Sequence, residues 1–202
     1  MKDSIPPVTV ERLPLYLQCL DELPSSADWI SSERLAAMAG VNSAQVRKDL
    51  SYLGSYGVRG VGYDIDHLRG QIERQVGHCT VAIVGAGNLG AALANYPGFH
   101  ERGFKVAGVF DVDDDKIGTS VNGVEVEPLA LLEAAVKERD VAIGIIATPA
   151  AAAQEVANRL STAGVHSILN FAPVVLHVPN GVQVRRVNLS NELQILSFYL
   201  NR

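Results

Sequence analysis

The chain has 202 residues, of which 48% are hydrophobic and 19% are charged, a composition typical of a folded globular protein with one large domain or two small ones. The net charge of −5 gives no overall attraction for nucleic acid, so any DNA-binding surface must be local. The most apolar stretch, residues 141–153, is interrupted by glycine, threonine and proline, and the first ten residues lack the apolar core of a signal peptide, so we expect a cytoplasmic protein without a membrane span.

The first third of the chain predicts four helices. Thr9 is a plausible N-cap for a helix that runs to residue 23 and places its leucines on one stripe. Ser31-Ser32 caps a second helix over residues 33–39. Asn42 caps a third helix over residues 43–53, and Gln45 completes a capping box. A linker helix over residues 63–75 then leads to a domain boundary near residue 78.

The second and third helices, joined by Gly40-Val41, form a helix-turn-helix pattern. The segment GSYGVRGVGY after them predicts two short strands with Arg59 near a glycine-rich tip. Basic residues outnumber acidic ones only between residues 43 and 62. The pattern favours DNA binding, and the alternative is a small helical domain that binds another protein. The predicted DNA-binding residues are Ser43, Gln45, Arg47, Lys48, Ser55, Tyr56 and Arg59.

Residues 79–90, CTVAIVGAGNLG, predict a strand, a glycine turn and the start of a helix, the order that a dinucleotide site requires. A second strand, residues 105–110, ends on Asp111, which lies close to the ~20-residue spacing expected for a carboxylate that binds the adenosine ribose. The alternative for Asp111 is a solvated turn residue, since three further aspartates follow it. Because this acidic run has no arginine beside it, we expect NADH and NAD⁺ to be preferred to the 2′-phosphorylated cofactors.

The rest of this half alternates strands and helices, which predicts a doubly wound parallel sheet. A hairpin turn at residues 121–124 precedes a helix over 128–138 and a buried strand over 141–147. Thr148-Pro149 then starts a helix that ends at Gly164, and a strand over 165–169 follows. The carboxyl ends of these strands meet at one crevice. The predicted cofactor-binding residues are Gly85, Ala86, Gly87, Asn88, Leu89, Gly90, Asp111, Val112, Lys116, Thr148, Pro149 and Ala172.

The last segment predicts a strand and then a helix that is apolar nearly all round. One small domain cannot bury both faces of such a helix, so we expect residues 189–202 to be exchanged with a partner subunit. The alternative is a helix wedged between the two domains of its own chain.

The predicted organisation is therefore mixed α/β: a winged helix-turn-helix domain over 1–78, a Rossmann domain over 79–188 and a C-terminal dimerising helix over 189–202.

Several blocks together resemble the Rex family of redox-sensing transcriptional repressors. These blocks are RLPLYL, QVRKDLSYLGSYGVRGVGYD, GAGNLG with ANYPGF after it, and LNFAPVVL, and the resemblance runs from about residue 7 to residue 200. The resemblance implies a homodimer that binds NADH and NAD⁺ competitively. It also implies that the apo or NAD⁺ form occupies an inverted-repeat operator on double-stranded DNA, and that NADH closes the dimer and releases it. Arg47 and Lys48 would then lie in the major groove, with Arg59 on the wing.

The same resemblance implies a contact network that differs between the two states of the dimer. It would involve Arg12, Tyr96 and the start of the C-terminal helix at Asn188. Family members often carry Asp where this chain has Asn188, and an Asn cannot pair with Arg12 as an ion. The dimer contacts of the helix itself are predicted at Leu189, Leu193, Leu196 and Leu200.

The alternative from another functional class is an NAD-dependent dehydrogenase with an accessory helical domain. It would need a general acid or base near the nicotinamide, and His166, His177 and Lys116 have no partner at a recognisable spacing, so we expect no enzyme activity. No cluster of ligands predicts a metal. Cys19 and Cys79 lie apart in apolar patterns and are expected to be buried thiols, the alternative being a disulfide switch.

Overall fold

The computed structural model describes residues 5–54 and 57–200 and forms two compact units that divide between Gly77 and His78. Within the described residues, no helix is both long enough and apolar enough to cross a membrane. Each unit has its own hydrophobic core.

The first unit packs four helices around one core and closes it with a two-stranded antiparallel ribbon. Its core is built from aromatic and aliphatic side chains of all four helices. The largest of the fully buried side chains on these helices are Leu13, Tyr16, Leu20, Leu35, Leu50, Leu68 and Ile72. The elements are α1 (Pro7–Asp21), β1 (Trp29–Ile30), α2 (Ser32–Ala39), α3 (Ser43–Tyr52), β2 (Tyr63–Asp64) and α4 (Ile65–Val76).

Side-chain caps start the middle helices as predicted. The Ser31 hydroxyl accepts a hydrogen bond from the Arg34 N–H, and the Asn42 side chain accepts one from the Gln45 N–H at 2.8 Å. The other half of the predicted capping box is wrong, because the Gln45 amide donates to Asp49 instead. The prediction for Thr9 is also wrong. Helix α1 already begins at Pro7, and Thr9 is a buried residue inside it.

In the described part of the segment between α3 and β2, residues 57–62 form a tight turn with one bridge in place of the two predicted strands. Val58 and Gly62 are joined by one antiparallel bridge, with the Val58 N–H donating to the Gly62 carbonyl oxygen at 2.7 Å and the reverse bond at 2.9 Å. Arg59 lies at the tip of this turn, as predicted. The ribbon partner of β2 is β1, from before the helix-turn-helix. We call the segment from Gly57 to Gly62 the wing.

The second unit is a seven-stranded sheet with helices on both faces. Its elements are β3 (Cys79–Val84), α5 (Asn88–Ala94), α6 (Pro97–Glu101), β4 (Phe104–Asp111), β5 (Ser120–Val121), β6 (Val124–Pro128), α7 (Leu132–Glu138), β7 (Val141–Ile146), α8 (Ala150–Ala163), β8 (Ser167–Asn170), β9 (Gln183–Arg186) and α9 (Leu189–Leu200). The strand order is β5-β6-β4-β3-β7-β8-β9, and all neighbours are parallel except the β5–β6 hairpin. The six parallel strands thus follow the 3-2-1-4-5-6 order of a dinucleotide-binding Rossmann sheet.

Successive side chains of a strand point to opposite faces of the sheet, so each central strand contacts helices on both sides. On β3, Val81 and Ile83 face the cluster that contains α5, whereas Ala82 and Val84 face the cluster that contains α7 and α8. The β5–β6 hairpin turns through Asn122 and Gly123, both with positive φ, as the Asn-Gly pair predicts.

Three details of the second unit depart from the sequence predictions. Residues 128–131 end β6 and form one short 3-10 turn, so α7 begins only at Leu132. Thr148 does not cap α8, whose N-cap is Pro149. Cys79 is only partly buried, whereas Cys19 is buried as predicted, and in both residues desolvation raises the pKa of the thiol.

Candidate functional sites

The glycine turn after β3 is fixed by steric limits on two of its glycines. Gly85 has a φ of +102°, and a Cβ there would lie 2.6 Å from the Ala147 carbonyl oxygen at the end of β7. A Cβ on Gly90 would overlap the Gly85 carbonyl oxygen, which is why the first turn of α5 can pack against the end of β3. A Cβ on Gly87, in contrast, would meet open space. The backbone at Gly87 is therefore accessible to a ligand, as a pyrophosphate would require.

Asp111, at the carboxyl end of β4, holds this turn in place. One carboxylate oxygen accepts a hydrogen bond from the Ala86 N–H at 2.6 Å, and the other accepts bonds from the Val112 and Asp113 N–H groups at 2.8 and 3.0 Å. Asp111 as a whole is 8% exposed. Burial alone would raise its pKa, but the hydrogen bonds from these backbone groups outweigh burial and lower it. Asp111 is thus an ionised acceptor in direct contact with the glycine turn, not a solvated turn residue.

Lys116 lies beside this carboxylate. Its Nζ is 3.4 Å from Asp111 and 3.1 Å from Asp113, so the structure brings together two residues assigned to the cofactor site. The side chain of Val112, which follows Asp111 directly, is 74% exposed. The mouth of the crevice therefore combines an anionic acceptor, a cation and an exposed apolar surface on which an adenine ring could pack.

Thr148, which follows β7, carries a polar atom whose hydrogen bonding is unsatisfied within the described part of the chain. Its hydroxyl is buried and has no hydrogen-bond partner among the described residues, a state that is normally avoided because it forfeits hydration without replacement. The residue follows β7, whose end is tied to β3 by the bond from the Ala147 N–H to the Val84 carbonyl oxygen. Pro149 next to it is exposed and begins α8. A buried hydroxyl without a partner among the described residues, next to the glycine turn, is a candidate to bond a polar group of a dinucleotide.

Sequence reasoning missed Asn170, which ends β8 and is fully buried. Its Oδ1 accepts from the Ala172 N–H at 2.9 Å, and its Nδ2 donates to the Val174 carbonyl oxygen at 3.0 Å. These bonds shape the chain around Ala172, which was predicted as a cofactor contact and is itself buried. The available signal was an Asn at the end of an apolar strand, where only a bonded amide can be buried.

The predicted residues of the crevice fit a dinucleotide. The open backbone at Gly87 suits the phosphates, the carboxylate of Asp111 suits a ribose hydroxyl, and the Thr148 hydroxyl offers a further polar contact. Asn88 and Leu89 are exposed in the first turn of α5, next to the open backbone.

The recognition helix of the first unit exposes its basic side chains. On α3, Arg47 and Lys48 are exposed, and Arg47 borders a groove of about 550 Å³ whose other wall is the wing with Arg59. Ser43 and Gln45 are half-buried. Ser55 and Tyr56 lie outside the described residues. Two of the predicted DNA contacts, Arg47 and Arg59, therefore line one groove, and Lys48 is exposed next to Arg47 on α3.

A buried acid anchors this helix. Asp49 is fully buried on α3 and accepts hydrogen bonds from Thr9 at 2.8 Å and from Tyr16 at 2.7 Å, both on α1. Arg12 donates two bonds to it, from Nε at 2.6 Å and from Nη2 at 2.9 Å. Burial would raise the pKa of Asp49, yet the bonds from Arg12, Tyr16, Thr9 and Gln45 lower it to about 2. Arg12, predicted as a switch residue, is thus paired within its own unit.

The other predicted switch residues lie in the second unit. Tyr96 is 57% exposed and packs edge-on against Phe99, with ring centroids 5.4 Å apart. Asn188 starts α9, where its Oδ1 accepts from the Ser190 N–H at 3.0 Å. The side chains of α9 are exposed along its whole length, and its predicted contact residues Leu189, Leu193, Leu196 and Leu200 are 61–85% exposed.

Metal-ligating side chains do not assemble within the part of the chain that the structure describes: no three His, Cys, Asp or Glu residues form a group there that could hold an ion.

Comparisons with known proteins cover both units. A family model described as "Putative DNA-binding protein N-terminus" matches residues 4–51, and one described as "CoA binding domain" matches residues 78–174. The chain is 58% identical to the redox-sensing transcriptional repressor Rex of Streptomyces coelicolor, covering 98% of this chain and 79% of that protein. It is 46% identical to the Rex of Syntrophomonas wolfei, covering 98% of this chain and 96% of that protein.

Solved structures show the same likeness. The structure of RSP in complex with β-NAD⁺ and operator DNA is 36% identical to this chain, with a TM-score of 0.89 over 96% of this chain and 91% of that one. The structure of RSP, a Rex-family repressor, in complex with β-NADH is 35% identical, with a TM-score of 0.87 over 98% of this chain and 95% of that one.

Proposed function

Because the chain belongs to the Rex family of redox-sensing transcriptional repressors, we propose that it represses transcription by binding operator DNA and that NADH releases it. The observation that carries this function is the combination, in one chain, of an exposed basic helix-turn-helix with a dinucleotide crevice of Rossmann type. The family consists of DNA-binding regulators rather than enzymes, so the dehydrogenase alternative has no comparable support. A repressor of this kind acts on DNA in the bacterial cytoplasm.

The first unit supplies the reading head. Helix α3 enters the major groove with Arg47 and Lys48, and Arg59 on the wing contacts the flanking backbone or minor groove. The net charge of the chain is negative, so this local cluster of cations must provide the attraction for phosphate. RSP, whose fold covers nearly all of this chain, has been solved on operator DNA.

The second unit holds NADH or NAD⁺. The glycine turn accommodates the pyrophosphate, and Asp111 accepts from the adenosine ribose while keeping its bond to the Ala86 N–H. A 2′-phosphate would lie against this buried carboxylate, which favours the unphosphorylated cofactors, although Lys116 beside it reduces the repulsion. RSP has been solved with both β-NAD⁺ and β-NADH.

Helix α9 joins two copies of the chain. Its leucines and its aromatic residues are all more than half exposed in a single chain, which leaves an apolar surface that a lone protein in water would normally bury. We therefore place α9 in a partner copy, so that two reading heads face the half-sites of an inverted repeat.

Release from DNA then follows from thermodynamic linkage. NADH can shift the dimer only as far as it binds the DNA-incompetent geometry better than the competent one. Moving the population from almost fully competent to almost fully incompetent takes about 5.5 kcal/mol of differential affinity. The glycine turn and Asp111 contact the ADP half that both cofactors share, so the difference must arise elsewhere, around the nicotinamide.

The test is a fluorescence anisotropy titration of the full-length protein on a duplex that it has selected from a random-sequence pool, which we call the operator duplex. NADH and NAD⁺ are added separately at fixed salt, because phosphate contacts make the affinity depend on salt. Release by NADH but not by NAD⁺ supports the proposed function. Failure to select any sequence, or binding that is indifferent to both cofactors, contradicts it.

A further inference from the structure

An acidic residue stands on the DNA-binding side of the helix-turn-helix. Glu33, in the first turn of α2, forms a ring of three contacts with Ser32 and Arg47. The Ser32 hydroxyl lies 3.1 Å from Glu33 Oε1 and accepts from Arg47 Nη1 at 3.0 Å, while Arg47 Nη1 is 3.2 Å from Glu33 Oε1. Ser32 is 8% exposed, so the ring is anchored to the core between α2 and α3.

The placement of Glu33 works against general attraction for DNA. It lines the same groove as Arg47 and Arg59, and its side chain is 69% exposed. A carboxylate there repels phosphate and neutralises part of the charge that nearby cations offer. An acid in the first turn of α2 is stabilised by the positive end of the helix dipole, which explains why an acid stands there. The dipole does not explain why this acid bonds Arg47 on the neighbouring helix.

The ring uses only one end of the Arg47 guanidinium. Nη1 is bonded to Ser32 and Glu33, and the Nε–Nη2 edge has no partner among the described residues. Two parallel N–H donors on one edge match a base that presents two acceptors in the major groove, as guanine does with O6 and N7. A long side chain held in this orientation before binding loses less conformational freedom when it contacts the base.

We propose that Glu33, together with Ser32, orients Arg47 for reading a base edge, so that Glu33 increases the preference for the operator while weakening binding to DNA in general. Glu33 is a positioning residue in this role, since it acts through Arg47. The inference rests on the proposed function, because it requires that α3 reads operator DNA.

The experiment measures the affinity of the full-length protein for the operator duplex and for a scrambled duplex of the same length, across a series of salt concentrations. Glu33→Gln is expected to bind the scrambled duplex about two- to five-fold more tightly, because this is the change in affinity that one exposed charge interaction typically produces. It is also expected to lower the ratio of operator affinity to scrambled affinity by at least about two-fold. Glu22→Gln removes one negative charge from an exposed side chain of the same unit and should leave the ratio unchanged.

A second variant separates positioning from charge. Ser32→Ala removes the anchor of the ring but keeps the carboxylate, and Ser31 still caps α2. It should lower the operator-to-scrambled ratio without tightening binding to the scrambled duplex. A purely electrostatic role of Glu33 would leave the ratio of Ser32→Ala at the wild-type value.

The outcomes are distinct. If the wild-type protein prefers its operator duplex but Glu33→Gln and Ser32→Ala keep the wild-type ratio, Glu33 does not orient Arg47 and the inference is overturned. If the wild-type protein itself binds both duplexes equally, the proposed function fails and the inference fails with it. A lowered ratio in both variants, with tighter scrambled binding only in Glu33→Gln, supports the inference.

Discussion

The buried acid of the helix-turn-helix gives the most quantitative prediction. In Asp49→Asn, one oxygen remains as an acceptor, but the other becomes an NH₂ donor that faces the Arg12 and Tyr16 donors. The Tyr16 hydroxyl can rotate so that it accepts a hydrogen bond from the new NH₂ group. The Arg12 guanidinium can only donate, so its partly buried positive charge loses the carboxylate that balanced it. Breaking a buried ion pair by removing one partner costs about 3–5 kcal/mol. Since Asn keeps part of the bonding, we expect the unit to lose about 2–4 kcal/mol of stability at pH 7.

The pKa of Asp49 gives an independent estimate and a pH window. Its fall from 3.8 to about 2 corresponds to roughly 2 kcal/mol of stability. A carboxylate with a depressed pKa stabilises the folded state fully above its unfolded value and loses this contribution as the pH falls toward its folded value. The stability difference between wild type and Asp49→Asn should therefore be constant near neutral pH and shrink by about 2 kcal/mol between pH 4 and pH 2.

Urea unfolding monitored by tryptophan fluorescence measures this difference. Trp29 is the one tryptophan of the chain and lies in the first unit, so its signal reports on the unit that Asp49 stabilises. Asp66→Asn is the matched control, because this acid is 94% exposed where it pairs with Arg69 and should contribute under about 1 kcal/mol. An Asp49→Asn variant as stable as the control at pH 7 would refute the view that this network stabilises the recognition helix.

The remaining predictions concern binding and assembly. Asp111→Ala should weaken NADH binding about ten- to a hundred-fold, since bonds to a charged acceptor are lost, and should make operator binding insensitive to NADH at the concentrations that release the wild-type protein; an unchanged NADH response excludes Asp111 from the site. Gly90→Ala should abolish NADH binding measured by calorimetry, because its Cβ cannot fit beside the turn, and wild-type affinity would contradict this. Arg47→Ala should weaken operator binding but spare NADH binding, and an equal loss of both would contradict the division of roles. Deletion of residues 189–202 should yield a monomer or aggregates in size-exclusion chromatography; a compact dimer would exclude exchange of α9.

Features that depend on neighbours in sequence were predictable. The caps of α2 and α3 are set by side chains that bond an N–H three residues later, and the Asn122-Gly123 hairpin is set by two residues that tolerate positive φ. The order of strands and helices followed from hydrophobic patterns, so the Rossmann sheet could be predicted from its alternation.

Features that depend on distant residues were not predictable. Thr9 donates to Asp49 from inside α1, and the Gln45 amide donates to Asp49 instead of completing its helix cap; both bonds need a buried carboxylate that only the packing of α1 on α3 creates. Thr148 has the residue type and position of an N-cap, yet Pro149 is the N-cap of α8 and the Thr148 hydroxyl is buried without a partner among the described residues. The resemblance to a family identified the partners and cofactors, but it could not show that Arg12 is paired with Asp49.

The hydrogen bonds of Asp111 have a consequence for the response of the repressor. They hold the glycine turn in one conformation before any ligand binds, so we expect this half of the crevice to be preorganised for a dinucleotide. Because NADH and NAD⁺ present the same ADP moiety to it, the turn strengthens both affinities by the same factor. A mutation that loosens the turn would therefore raise the total dinucleotide concentration needed for a response, while leaving unchanged the NADH/NAD⁺ ratio at which repression ends.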